Sequence, residues 1–347
     1  MKTDWQNIDL PLHQESHWSL RRRNKTVEID ENRLKSLIEK WQPQNPILIG
    51  VPGADNFQIP VTIPEYSIQI RKSLHRRNNR LGFGFLTLAI FMLVLGLAIW
   101  SSRPFIVALS CTFFAAAFFW EANRFWNSDA SIIDRAKFFY WLHHADYPRH
   151  GFTLYCAITL LIGGQQLVWS WLLGGQVAVF SSYGAIYSAI DSGEFWRLIS
   201  GSFLHYSVLH YSVNALLLIL SGTLAWIVMG YGSLVVFTFG CFSSTYFQYE
   251  FGGRLFESYG GMSGGVFALV GLLAMSLLLR KGIFPEGFIN TIVLLVCAGG
   301  IYSAGLSENT ANLAHLTGFA TGALAFRLAQ LPKNQSELSG TNSRQEN

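Results

Sequence analysis

Long apolar runs separated by short polar breaks fill most of the chain after residue 80. Each run is close to the roughly twenty apolar residues that a helix needs to cross a bilayer. Eight segments are predicted to be membrane-spanning helices: 83–100, 104–120, 152–173, 201–228, 233–250, 262–279, 286–304 and 313–330. The first two are separated by a very short polar turn, so they are predicted to form a helical hairpin. That hairpin either spans the membrane or lies partly in its interface.

The chain before residue 80 has a more polar pattern that predicts a small α/β region outside the membrane. Apolar residues recur at helical spacing from Leu34 to Trp41, directly after acidic residues that suit a helix start. The stretches 47–51 and 59–68 are predicted as short strands, interrupted by glycine and proline. This pattern does not indicate what the region does.

Composition supports a membrane protein. Half of the residues are hydrophobic (50%), only 13% are charged, and the mean hydropathy is +0.29, whereas soluble domains carry roughly 25% charged residues. The fold class predicted is an all-α polytopic membrane protein: a six-helix core preceded by a two-helix hydrophobic hairpin and a small cytoplasmic α/β region. The predicted parts are a cytoplasmic region at 1–80, the hairpin at 81–121, a cytoplasmic linker at 122–150, the core at 151–330 and a disordered tail at 331–347.

The positions of the basic residues predict the orientation. Cytoplasmic loops are enriched in Lys and Arg. If all eight segments span, the basic clusters fall on one side of the membrane: before residue 83, in 121–150, at Arg280–Lys281, and at Arg327 with Lys333. Both termini are then cytoplasmic in a cell inner or plasma membrane, and the 174–200 and 250–261 loops face outward. No cleavable signal peptide is expected, because the first eighty residues lack a continuous apolar core.

Other function classes find little support in the sequence. All four cysteines lie in apolar stretches and are predicted to be packing residues, with no metal-ligand spacing. His143, His144 and Asp146 could bind a metal, but their aromatic, basic surroundings are more typical of solvated or headgroup-facing side chains. The run Arg21–Arg23 favours a cytoplasmic face or anionic-lipid contact over nucleic-acid binding. No cofactor or metal is predicted. Paired intramembrane acidic residues and an inverted repeat, which would indicate a transporter, are not evident.

Two of the apolar segments carry residues suited to nucleophilic catalysis. Ser263 stands at the head of one segment, between Gly261 and Gly264, and His315 lies near the start of another. A histidine can take the proton of a serine hydroxyl near neutral pH. Gly318 and Gly322 follow His315 at one-turn intervals and would allow a neighbouring helix to approach closely. The alternative is that the glycine–serine cluster is a packing device and that the histidine is an interhelical hydrogen-bonding residue.

A third cluster strengthens the catalytic interpretation. His210 and Asn214 are four residues apart, so they share one face early in the segment 201–228. Two donors at the outer end of a helix could stabilise the oxyanion of a tetrahedral intermediate. Interhelical hydrogen bonding is again the alternative. All three clusters enter the bilayer from the same predicted side, which packing alone does not require.

These residues, in this order, resemble the rhomboid family of intramembrane serine proteases across roughly residues 150–330. The matching motifs are Gly193-Glu194-Phe195-Trp196-Arg197-Leu198, Phe203-Leu204-His205 with His210 and Asn214, Gly261-Met262-Ser263-Gly264 with Leu269 and Gly271, and Ala314-His315-Leu316-Thr317-Gly318 with Gly322. The resemblance implies a dyad without a carboxylate, with Ser263 as nucleophile and His315 as general base and acid. It implies an oxyanion site of His210, Asn214 and the Ser263 N–H, and a structural motif of Glu194, Trp196 and Arg197 in the first long loop.

The sequence departs from the family pattern at two positions. A tyrosine often stacks on the catalytic histidine, whereas this chain has Phe267, and an acidic residue of some members is replaced by Trp226. The resemblance implies transmembrane protein substrates, cut near the outer membrane face at a small residue. The alternatives are a rhomboid that trims C-terminal membrane anchors, and a catalytically silent rhomboid-like protein that binds or escorts membrane clients. Retention of both Ser263 and His315 argues against the silent protein.

Overall fold

The computed structural model describes residues 4–13, 15–22, 25–252, 257–279, 282–288 and 311–330. Its α-helices are α1 Glu31–Lys40, α2 Pro64–Ile99, α3 Ser102–Asn127, α4 Asp129–His144, α5 Asp146–Leu173, α6 Gln176–Tyr183, α7 Tyr187–Asp191, α8 Arg197–Ser200, α9 Val208–Met229, α10 Gly232–Phe251, α11 Ser263–Leu279 and α12 Asn312–Ala329. Its strands are β1 Ser19–Arg22, β2 Lys25–Glu28, β3 Ile47–Gly50, β4 Ala185–Ile186 and β5 Ser258–Tyr259. The protein is a helical membrane protein with a small sheet region.

Two compact units make up the described chain, one drawn from Met1–Leu154 and Arg280–Asn312, the other from Tyr155–Leu279 and Leu313–Asn347. The first contains an antiparallel sheet in the order β2-β1-β3, with Leu20 opposite both Val27 and Ile49. The predicted helix α1 is confirmed, and the Asp30 side chain caps it by accepting a hydrogen bond from the Arg33 N–H at 2.8 Å.

The strand prediction for residues 59–68 is wrong. Pro60–Thr62 form a 3₁₀ turn, and Pro64 opens the 36-residue helix α2. Proline lacks an N–H for a sheet ladder, but its fixed φ suits the first helical turn, so this stretch begins a helix. Because α2 continues to Ile99, one unbroken helix runs from the polar region into the first apolar segment.

The hydrophobic hairpin forms as predicted from α2 and α3. Gly82 lies against the Phe119 ring, and Gly96 lies against the Phe105 ring, so the two helices run antiparallel in close contact. Phe85 adds a stacked contact with Phe118, at 5.6 Å between ring centroids. The segment predicted as the 122–150 linker is helical, because it includes the end of α3 and all of α4. Ile132 and Ala136 of α4 pack into the same hydrophobic core as α1 and β3.

Four described helices are long and apolar enough to cross a membrane: α2, α3, α5 and α9. The apolar helix α11 is shorter, with 17 residues. The segments predicted at 233–250 and 313–330 are helical as α10 and α12. Residues 201–207 are not part of α9, because the Ser207 side chain caps a helix that starts at Val208. From residue 289, the predicted helix at 286–304 lies outside the described residues, as do Arg280, Lys281, Lys333 and the tail predicted at 331–347.

Candidate functional site

The candidate site lies within the second unit, where α11 and α12 meet. His315 Nε2 is 2.9 Å from Ser263 Oγ, which is hydrogen-bonding distance. The Phe267 ring stacks on the imidazole, with centroids 4.4 Å apart and an interplanar angle of 15°. Ser263 is buried and His315 is half-buried, so little water competes for this hydrogen bond.

Ser263 is the first residue of α11. The first N–H groups of any α-helix have no acceptor within the helix, so they can bind a developing negative charge. Gly261 enters this turn at a φ of 120°, a backbone conformation that favours glycine. A side chain at Gly261 would also meet the His210 ring, because a Cβ built there lies 2.8 Å from His210 Cε1. The His210 ring therefore rests directly on the turn that presents Ser263.

Asn214 is buried one turn further along α9, and its Nδ2 donates to the carbonyl oxygen of His210 at 3.1 Å. Among the described residues, no hydrogen bond joins the side chain of His210 or Asn214 directly to Ser263 or His315. The structure thus brings His210 against the serine turn. The side chain of Asn214 is engaged with its own helix.

Glycines set the close approach of α10, α11 and α12. A Cβ built at Gly318 would lie 2.8 Å from Ser244 Oγ, and it would overlap the Gly264 carbonyl. A Cβ at Gly322 would lie 2.9 Å from Ala268 Cα. Because there is no room for even a methyl group, the backbones of α11 and α12 touch, and this contact keeps the serine and the histidine adjacent.

The side chains of Glu194, Trp196 and Arg197 organise the first long loop. The buried Arg197 donates from Nε to Glu194 at 2.7 Å and stacks over the Trp196 ring at 4.7 Å. It also donates to the carbonyl oxygens of Ser181 at 3.1 Å and Gly184 at 3.0 Å. The residues directly after Gly184 form β4. This strand pairs antiparallel with β5, which lies shortly before the serine turn in the sequence. This motif therefore holds a loop that is connected to the site through backbone hydrogen bonds.

Two polar contacts near the site were not expected from the sequence. Gln166 of α5 brackets His205: its Oε1 accepts from the His205 N–H at 2.9 Å, and its Nε2 donates to the His205 carbonyl at 2.7 Å. The buried His205 ring approaches the Met262 N–H, at 3.5 Å from Nε2, just before the serine. A polar amide within an apolar helix is a functional signal. The sequence does not reveal its partner, however, because that partner lies 39 residues away.

The second contact fixes the start of α12. Gln248 is buried, and its Oε1 accepts from the Ala314 N–H at 3.2 Å. That N–H belongs to the first turn of α12, where it has no acceptor within the helix. Gln248 therefore anchors the turn that carries His315.

The sequence of this region is similar to that of known proteins. Residues 192–330 match the family model described as Rhomboid domain. The Rhomboid protease GlpG of Yersinia pestis (strain Pestoides F) is 32% identical over 157 residues, which cover 44% of this chain and 55% of that protein. The Rhomboid protease GlpG of Enterobacter sp. (strain 638) is 36% identical over 138 residues, 38% of this chain and 48% of the relative. The chain thus spans about half the length of the curated relatives it matches.

Proposed function

We propose that this chain, whose residues 192–330 match the Rhomboid domain model, is a rhomboid-family serine endopeptidase that cleaves transmembrane proteins near the outer membrane face. The observation that supports this most directly is the 2.9 Å separation of Ser263 Oγ and His315 Nε2. A packing role for either residue would not require a hydroxyl and an imidazole nitrogen to face each other. It would also not require an aromatic ring stacked on that imidazole.

In the proposed reaction, Ser263 is the nucleophile and His315 is the base. As Oγ attacks the scissile carbonyl, its proton passes to His315 Nε2, so the nucleophile does not have to ionise beforehand. The imidazolium then gives the proton to the leaving amine, which completes acylation of the serine. A water molecule, activated by the same nitrogen, hydrolyses the acyl-enzyme and restores both residues. The Phe267 ring, stacked on the imidazole, orients it in the absence of a carboxylate.

The oxyanion is stabilised by donors around the serine turn. The N–H of Ser263 lies at the start of α11 and can donate to the oxyanion. The positive end of the helix dipole at this position also favours the developing negative charge. We assign the side chains of His210 and Asn214 as further donors. In the structure His210 contacts Gly261, whereas Asn214 donates to the His210 carbonyl. Asn214 has a second amide hydrogen, which leaves it able to donate to an oxyanion.

The test compares the purified protein with its Ser263→Ala variant on a reporter transmembrane substrate in detergent and in liposomes. We expect cleavage by the native protein and none by the variant, with both eluting as the same folded species. Binding of the reporter by the native protein without cleavage would favour the catalytically silent client-binding protein. Equal cleavage by both would exclude Ser263 as the nucleophile.

A further inference from the structure

The first unit contains a groove, far in sequence from the candidate active site, that is rich in positive charge. Its volume is about 1070 Å³, and it lies between the C-terminal end of α1 and one face of α2. Its basic side chains are mostly on α2, at Lys72, Arg76, Arg77 and Arg80, and Leu81 follows directly. The groove thus ends where α2 changes from polar to apolar.

In the described part of the chain, the charges on this face of α2 lack a paired carboxylate. Lys72, Arg76 and Arg80 recur every four residues, so they form one ladder along the helix. Within the part of the chain that the structure describes, none of them forms an ion pair with a carboxylate. Like charges at this spacing destabilise a helix. A bound anion would remove that repulsion.

Neither of the two acidic residues that line the groove, Glu39 and Glu65, lies at its Arg80 end. Glu65 lies in the first turn of α2, about 22 Å along the helix from Arg80 at 1.5 Å per residue. Glu39 is already engaged, because its Oε1 accepts from Gln69 Nε2 at 3.5 Å and its backbone oxygen accepts from Ser73 at 2.7 Å. The groove is therefore polarised, with its positive end toward the apolar part of α2.

The apolar part of α2 fixes the depth of this positive end. From Leu81 to Ile99 the helix rises about 28 Å, close to the thickness of the hydrocarbon core. Its outward side chains are apolar and exposed, for example Phe83 (60%) and Phe91 (59%). Trp100, 91% exposed at the far end, is of the residue type enriched at membrane interfaces. The Arg80 end of the basic ladder therefore lies at the opposite interface, at the level of lipid headgroups.

From these observations, we propose that the groove beside Lys72, Arg76 and Arg80 binds the phosphate headgroup of an anionic phospholipid. Guanidinium groups bind phosphate oxygens through paired N–H donors, and lysine adds a flexible point charge. The acyl chains extend along the exposed apolar side chains beyond Leu81. A lipid phosphate is held at this depth by acyl chains that contact the apolar part of α2, whereas a freely soluble phosphate ion has no such anchor.

The test measures which lipids remain bound to the full-length protein. The protein is purified in a neutral detergent with equal amounts of phosphatidylglycerol and phosphatidylcholine, and bound lipids are counted by native mass spectrometry. We expect enrichment of phosphatidylglycerol in the native protein. The triple variant Lys72→Gln, Arg76→Gln, Arg80→Gln should lose it by roughly tenfold to a hundredfold, given the attraction of each basic residue for anionic lipid. Glutamine preserves helix propensity, so α2 should remain folded.

Two further variants separate the site from general charge. The matched control Lys25→Gln, Arg33→Gln, Lys35→Gln removes the same number of positive charges from exposed positions of the same unit, and it should keep the enrichment. The charge-conserving variant Lys72→Arg, Arg76→Lys, Arg80→Lys should keep most of it. Equal loss in the control, or no loss in the groove variant, would overturn the proposal. Displacement of the lipid by millimolar inorganic phosphate would identify a site for a soluble anion and would also overturn it.

Discussion

At the scale of single residues, the contact between Ser263 and His315 concentrates the proposed chemistry in one proton transfer. The hydrogen bond of 2.9 Å leaves the hydroxyl in place to lose its proton as it attacks. The imidazole is oriented by a stacked aromatic ring, and such pairs are worth about 0.5–1.5 kcal/mol beyond their buried area. The two residues are therefore expected to behave as a unit.

Combining Ser263→Ala with His315→Ala tests that dependence. If neither residue acts without the other, the double variant should lose about as much cleavage activity as each single variant. The measurement is kcat/KM on a reporter transmembrane substrate for all three variants under identical detergent conditions. A double variant that loses the sum of the two single effects would mean that the residues act independently.

Substitutions at Phe267 test the orienting role of the ring. Phe267→Tyr keeps the stacked ring on His315 and should retain nearly full activity. Phe267→Ala removes the stacking and should lower kcat roughly twofold to tenfold, from the about 0.5–1.5 kcal/mol of an aromatic pair. Thermal unfolding of both variants serves as the control for folding. Equal kcat for the alanine and the tyrosine variants would show that the ring does not orient the imidazole.

At the scale of elements, the glycine contacts between α11 and α12 position the site. Helices in a membrane gain little from hydrophobic burial, so close packing of small residues provides much of their association. Gly322 contacts the backbone of Ala268, and Gly318 contacts that of Gly264. Each contact joins α12, which carries His315, to α11, which carries Ser263.

Gly322→Ala should destabilise the protein and reduce cleavage. The new methyl group would overlap the Ala268 carbonyl, and overpacking of this kind costs about 1–3 kcal/mol. The matched control is Gly164→Ala on α5, where a built Cβ has no atom within 4 Å. That control should be neutral or stabilising by about 0.5–1 kcal/mol, because alanine is the better helix former. Unfolding in a denaturing detergent titration measures both. Equal stability of the two variants would contradict the packing role.

Several elements could be predicted from the sequence because their signals are local. The apolar runs predict the helices, and Asp30 before an apolar periodicity predicts the start of α1. The strand pair β1 and β2 has no such local signal. All four residues of β2 are exposed, so the strand does not need the alternation of apolar and polar residues by which a half-buried strand is predicted. Ile59, Val61 and Ile63 alternate like a strand, but the prolines between and after them favour the 3₁₀ turn and α2.

Contacts around the candidate site were predictable only in part. Ser263 and His315 belong to a recognisable residue pattern, so an approach between them could be expected before any geometry was known. Gln166 and Gln248 bind backbone groups 39 and 66 residues away. Any polar side chain in an apolar helix needs a partner, but the sequence does not indicate which backbone group that partner is. Such contacts follow from helix packing and become visible only in three dimensions.

At the scale of the whole molecule, the predicted topology places the N-terminal region in the cytoplasm and the 174–200 loop outside. Single cysteines at Lys35 and Val177, in a background with the native cysteines replaced, test it in intact cells. Val177 is 85% exposed and Lys35 lies on the surface of α1, so both are suited to labelling. A membrane-impermeant maleimide should label Val177→Cys at once and Lys35→Cys only after permeabilisation. The reverse result would invert the orientation.

Helix α2 joins the N-terminal domain to the membrane without a flexible hinge. Its first turns bury Tyr66 and Ile70 in the domain core, and α3 returns to the same core through Phe125. Both arms of the hairpin are thus clamped at one end, so the domain cannot swivel on a linker. A protein that bound the sheet of this domain and rotated it would therefore also rotate the hairpin within the lipid.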